Sequence, residues 1–324
     1  MADLDGNGTL DMLSGSYPGE LYWFPRNADG TFGARKTLLG ADNKPIKVGS
    51  GTPRLATAPA VFDWESDGRP DLLVGNIEGN VFLLRNLGTK PEPSFAAPEK
   101  VQADRQTIAV GGDAGPTVAD WNGDGLADLL VGSADGAVTW FRNTGTRAAP
   151  TFARGVELVA DAGNSYGEVD EKKVAAGKGR PWGGRTKPCV VDFDGDGALD
   201  LLLGDYSVEK LAPPKLAPDE QAALDRLRAE YETQSKRLER ETDRSGVHKL
   251  RDELSELVEY DGPESREQAE ARQAEIAELR TKVEAREKQL APLERQVSEL
   301  YVKLPKERVS HGYVWLFRRQ SPGR

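Results

Sequence analysis

Along the first two-thirds of the chain, apolar residues come in short runs, each closed by a glycine. Met12-Leu-Ser-Gly15, Leu72-Leu-Val-Gly75, Leu129-Leu-Val-Gly132 and Leu201-Leu-Leu-Gly204 occupy the same step of a repeat. Four residues after the glycine, three of the repeats carry another glycine and a second apolar run that ends in Arg-Asn: Gly19 to Asn27, Gly79 to Asn86 and Gly136 to Asn143. Short apolar runs separated by about four turn residues predict β-hairpins. A third strand is expected around Phe95 to Val101 and Phe152 to Val159. A fourth is expected just before each later repeat, at Pro59–Phe62, Pro116–Ala119 and Pro188–Val191. The runs are nearly continuous instead of alternating, which predicts strands covered on both faces. Four short strands per unit, at a period near 60, is the pattern of propeller blades.

Between the strands lies a polar nonapeptide that recurs four times. Its copies begin at Asp3, Asp63, Asp120 and Asp192, which are 60, 57 and 72 residues apart. Side-chain oxygens stand at the first, third, fifth and ninth positions: Asp3, Asp5, Asn7 and Asp11; Asp63, Glu65, Asp67 and Asp71; Asp120, Asn122, Asp124 and Asp128; Asp192, Asp194, Asp196 and Asp200. A backbone carbonyl at the seventh position (Thr9, Arg69, Leu126, Ala198) would complete a set of hard oxygen ligands, which is what Ca2+ requires. Glycine at the sixth position (Gly8, Gly68, Gly125, Gly197) supplies the positive φ of a tight curl. The plainer reading is an Asx-rich turn that holds only its own backbone. Four copies of clustered carboxylates, self-repelling without a cation, favour the metal. Up to four ions are expected, with the sites at Asp120 and Asp192 strongest. Glu65 and Ser66 weaken the second, and the first lacks a preceding strand.

The fourth repeat is interrupted. After Gly204-Asp-Tyr-Ser207 its second strand arrives about a hundred residues later, as His311 to Arg318. The intervening stretch is rich in Glu, Arg, Lys, Gln, Ala and Leu. Ile276, Val283, Leu290, Val297 and Leu304 lie seven apart, with Leu279, Leu293 and Leu300 in the companion heptad position and Arg286 as the exception. Leu224, Tyr231 and Leu238 keep a looser heptad in the first half, resumed by Leu250, Leu254 and Leu257 beyond Gly246. Pro218 and Pro263 suit first helical turns, Pro305 stops the second helix and Pro292 should kink it. An insert in a hairpin must return to where it left. Two antiparallel helices of about 40 residues, about 60 Å long, do this.

The chain has 324 residues, with 35 glycines and 20 prolines, as expected for a turn-rich β fold. A net charge of -10 argues against a nucleic-acid partner. The one cysteine, Cys189, excludes an intrachain disulfide and is expected to be a small buried thiol at the start of a strand. No stretch approaches the length of a membrane span. The chain opens inside the first loop, with no signal peptide, which suggests a natural start upstream. His248 and His311 fit no catalytic spacing. The basic, glycine-rich Gly177 to Thr186 is expected to be a mobile loop, and Trp23, Trp140 and Trp315 to pack between blades.

The loop and the strand after it resemble the FG-GAP or VCBS repeats of integrin α chains and of many bacterial exported proteins, over residues 1–207 and 311–319. The expected fold is therefore an all-β propeller with four visible blade-like repeats (1–207 plus 311–320), either closed by pairing its ends or part of a larger propeller. An antiparallel coiled-coil hairpin (212–306) is inserted in it, and 321–324 form a tail. The resemblance implies a calcium-stabilised, non-enzymatic binding or adhesion module outside the cytoplasm, with a protein or glycan ligand. The alternatives are a polysaccharide-acting lyase or hydrolase, and a scaffold that self-associates through the helical arm.

Overall fold

In a computed structural model the described residues are 1–49, 55–89, 92–161, 182–211, 215–259, 265–306 and 308–319. The tail, the turn around Pro263 and residues 177–181 of the glycine-rich stretch lie outside them. Contacts divide the chain into two units, residues 1–210 with those from 308 onward, and residues 211–307.

The first unit is built from antiparallel sheets in sequence order. The first holds β1 (Met12–Gly15), β2 (Leu21–Phe24) and β3 (Lys36–Thr37). The second holds β4 (Ala58–Phe62), β5 (Asp71–Gly75), β6 (Val81–Leu84) and β7 (Glu99–Lys100). A small hairpin, β8 (Gln102–Ala103) with β9 (Gln106–Thr107), follows. The third sheet holds β10 (Gly115–Ala119), β11 (Asp128–Gly132), β12 (Val138–Phe141) and β13 (Val156–Val159). The fourth holds β14 (Gly184–Val191), β15 (Asp200–Lys210), β16 (Arg308–His311) and β17 (Val314–Phe317), with both β16 and β17 paired to β15.

Register repeats from sheet to sheet: two residues before the closing glycine, Leu13 faces Trp23, Leu73 faces Leu83, Leu130 faces Trp140 and Leu202 faces Leu316, so Trp315 sits one step away from Trp23 and Trp140. Proline recurs at one step of the leading strand, where Pro59, Pro116 and Pro188 pair with Val74, Val131 and Leu203. That strand bonds to a neighbour on one side only, so a missing N–H is tolerated there.

The continuous apolar runs are explained by how the sheets stack. Leu72 and Val74 of β5 join Leu21 and Trp23 of the first sheet, while Leu73 points the other way, to Leu129 and Val131 of β11. Leu130 of β11 in turn joins Leu201, Leu203, Trp140 and Trp315. Alternate side chains of one strand thus serve two neighbouring sheets, and each fully buried leucine contributes about 1.5–3 kcal/mol. The closing glycines allow the sheets to approach. A Cβ on Gly15, Gly75 or Gly132 would overlap the carbonyl oxygen of Thr57, Ala114 or Thr186, just before or within the next leading strand. At Gly204 the nearest such atom among the described residues, Lys187 O, is at 3.7 Å, an ordinary contact.

Two expectations are corrected. Cys189 is exposed, not buried. On β14 the pattern alternates, with Thr186 and Pro188 turned inward and Cys189 outward, because one face of this strand is left uncovered by the described residues. The first half of the insert is two helices, α1 (Pro218–Ser245) and α2 (Val247–Glu259), not one. Gly246 adopts φ 68° and ends α1 in a left-handed cap, after which the helix restarts. The last helix, α3 (Arg266–Lys303), starts at Ser265 with a reciprocal capping box to Gln268 and runs on through Pro292.

Within this second unit the helices pack antiparallel. Tyr231 of α1 meets Tyr301 at 5.9 Å, Arg251 of α2 pairs with Glu287 at 2.6 Å, and Arg272 donates to the Leu257 carbonyl at 2.9 Å. Val247, Val283 and Leu290 are buried with Leu238, Leu250 and Leu254 against them. No described helix is long and apolar enough to cross a membrane.

Candidate metal centre

Each nonapeptide links a leading strand, where one is present, to the next strand, and curls through two left-handed positions. The sixth-position glycines have φ between 83° and 87°. The fourth position is also left-handed, at Gly6, Gly123 and Gly195 and, in the second loop, at Ser66 (φ 56°). A side chain there is uncommon, which marks the second loop as the strained one.

The first aspartate anchors the curl in all four copies. Its Oδ2 accepts from the sixth-position amide: Asp3 from Gly8 (3.3 Å), Asp63 from Gly68 (2.9 Å), Asp120 from Gly125 (2.8 Å) and Asp192 from Gly197 (3.0 Å). The fifth-position side chain accepts from the seventh-position amide: Asn7 from Thr9, Asp67 from Arg69, Asp124 from Leu126 and Asp196 from Ala198, at 2.7–3.0 Å. The turn reading and the metal reading are therefore not exclusive, because a carboxylate offers about four lone-pair sites and the turn takes only some of them.

The ninth aspartate, buried in every copy, is the structural hub. Its Oδ1 accepts an amide from the far end of the hairpin: Asp11 from Arg26, Asp71 from Asn86, Asp128 from Asn143 and Asp200 from Arg319, at 2.7–2.9 Å. In three loops its Oδ2 accepts the second-position amide, of Leu4, Trp64 or Phe193. In the third, Trp121 donates to the Ala119 carbonyl instead (2.9 Å), and Asp128 Oδ2 is buried without a hydrogen bond of normal geometry. Burial pushes the Asp128 carboxyl up, opposed by the Asn143 amide and, facing it, the Trp140 indole. Burial likewise pushes Asp71 up, against the amides of Asn86 and Trp64.

The four loops differ in what they bring together. Asp3, Asp5 and Asp11 present oxygens within 4.8 Å of one another, as do Asp192, Asp194 and Asp200. In the third loop Asn122 replaces the middle carboxylate and its amide donates to Asp124 Oδ2 at 2.8 Å. The buried Asp128 Oδ2 beside Asp124 is the oxygen there that a cation would satisfy. The second loop is occupied by its own cations: Glu65 pairs with Arg85, and Asp67 with the side chain of Arg69. Arg69 thus enters through its guanidinium. Arg318 also approaches Asp194, at 3.8 Å. The Arg-Asn that ends three of the hairpins is visible in the sequence, but the partners are not: Arg85 on Glu65, twenty residues away, and the hairpin-end amides on the ninth aspartate. The fixed interval of 15 residues from Asp71 to Asn86 and from Asp128 to Asn143 was the available signal.

A family model for the FG-GAP-like repeat matches three overlapping spans, residues 3–74, 63–131 and 120–203, together well over half of the chain. The chain belongs to the FG-GAP-like repeat family. Each matched span opens on the first aspartate of a loop, so one FG-GAP-like unit runs from loop to loop and includes the strand beyond. No curated protein matches the sequence. Among solved structures, a lectin from Agrocybe aegerita with specific recognition of non-reducing terminal N-acetylglucosamine is 20% identical, with a TM-score of 0.35. The match covers 63% of this chain and 47% of that one, so the chain spans about half the length of that relative.

Proposed function

We propose that the FG-GAP-like repeats are blades of a calcium-stabilised propeller, a non-enzymatic binding or adhesion module that works outside the cytoplasm. One observation carries the calcium reading: in three of the four loops the curl leaves carboxylate oxygens converging or unsatisfied. Asp3, Asp5 and Asp11 cluster in the first and Asp192, Asp194 and Asp200 in the fourth, while Asp128 Oδ2 is buried without a hydrogen bond of normal geometry in the third. Such hard, anionic oxygens fit Ca2+, and burying them uncompensated is unfavourable. The second loop has guanidiniums where the ion would sit, so three ions are expected.

The ion's role is structural. It would tie a loop to the strand that follows it, with the ninth aspartate already joined to the end of the hairpin. Millimolar extracellular calcium suits sites of this modest charge. A protein or glycan ligand fits a module whose carboxylates are committed to its loops. Isothermal calorimetry with calcium tests the reading: three ions bound in the full chain support it, and no heat at millimolar calcium overturns it. Asp192→Asn should remove one ion, whereas Glu65→Gln should remove none.

A further inference from the structure

The helical unit interrupts its own apolar seam at one level. On α1 the heptad Leu224, Tyr231, Leu238 is followed by Ser245, and on α3 the series Leu279, Leu293, Leu300 contains Arg286. Both departures line a single cleft of about 500 Å3 between the two helices, next to the break at Gly246. A small serine on one side and an outward-reaching arginine on the other leave the space unfilled, since a polar group at a seam position removes a knob from its hole.

The cleft's charge is opposite to that of the chain. Arg237, Arg244 and Arg286 line it against one carboxylate, Glu241, in a protein of net charge -10. Arg244 is paired with Glu241 at 3.1 Å. Arg286 donates to the neutral Gln289 at 3.2 Å, and among the described residues Arg237 has no ion-pair partner. Two guanidiniums from different helices are thus free to bond an anion, over a floor that includes Leu290 and Leu293. Planar guanidiniums bond tetrahedral oxyanions in pairs, which ammonium groups do not.

We infer that this cleft is an anion-binding site for a sulfate or phosphate ester carried on a small organic body. The organic part rests on the leucine floor, and the oxyanion bridges Arg237 and Arg286. Calcium is not involved, and the site belongs to the helical unit alone.

The test uses the full chain in calcium-containing buffer, titrated with sucrose octasulfate and, separately, with glucose bisphosphate. Binding to either is expected to weaken at least about tenfold in Arg237→Gln and in Arg286→Leu, and to fall with ionic strength. The tighter of the two probes assigns the ester as sulfate or phosphate. Arg286→Leu restores the apolar seam, so it should raise the melting temperature of the helical unit while abolishing binding. Arg237→Gln, on the exposed rim, should leave melting unchanged. Absence of binding to both probes at millimolar concentration, or unaltered binding in both variants, overturns the inference.

Discussion

Asp128 and Asp200 stand at the same step of the repeat, and both are buried, yet they are held differently. Asp200 uses both oxygens on backbone amides, those of Arg319 and Phe193. Asp128 uses one, on Asn143. In calcium-free protein Asp200→Asn places an amide donor against the Phe193 N–H or breaks the Arg319 bond, which should cost about 1–3 kcal/mol. Asp128→Asn can keep its carbonyl on Asn143 and gives up no backbone hydrogen bond on its other side, which faces the Trp140 indole, so urea denaturation should show the smaller loss. Equal losses would contradict the distinction. The alternation of oxygens at positions one, three, five and nine is legible in the sequence because it is local. The capture of Glu65 by Arg85 is not, because it depends on which residues of a hairpin meet across the loop. The exposure of Cys189 is illegible for a related reason: whether an alternate residue on a strand is buried depends on which face of that strand another sheet covers.

At the scale of the element, the closing glycines carry the fold's sharpest steric demand. Gly75→Ala would drive a methyl group into the Ala114 carbonyl, so it should destabilise the first unit by about 3 kcal/mol. Gly204→Ala meets only an ordinary contact and should lie within about 0.5 kcal/mol of the parent. Denaturant midpoints of the two variants decide it, and a Gly204 variant as damaged as the Gly75 variant would show that the fourth sheet is packed like the others. The strands themselves were readable, since Leu-Leu-Val-Gly recurs at one step and its lack of alternation encodes two covered faces. The insert's helices were readable from their heptads. The split at Gly246 and the extension of β15 to Lys210 were not: the first rests on one residue's left-handed conformation, the second on pairing with Arg308, nearly a hundred residues away.

For the whole molecule, the helical unit enters and leaves through adjacent residues, because Lys210 and Arg308 are paired across β15 and β16. Replacing residues 212–306 by a short turn should therefore leave a folded β unit with an unchanged calcium response. Loss of cooperative melting in that variant would make the helices part of its core. The same paired ends let a long insertion sit in a repeat with little loop-closure penalty.

The most direct test of the central claim is thermal melting of the full chain in millimolar calcium against excess chelator. A ligand that binds only the folded state at a hundred times its dissociation constant adds about 2.7 kcal/mol per site. The account predicts a clear rise in melting temperature with calcium, reduced stepwise by Asp3→Asn, Asp128→Asn and Asp192→Asn but not by Glu65→Gln. Superimposable melting curves with calcium and with chelator would contradict it.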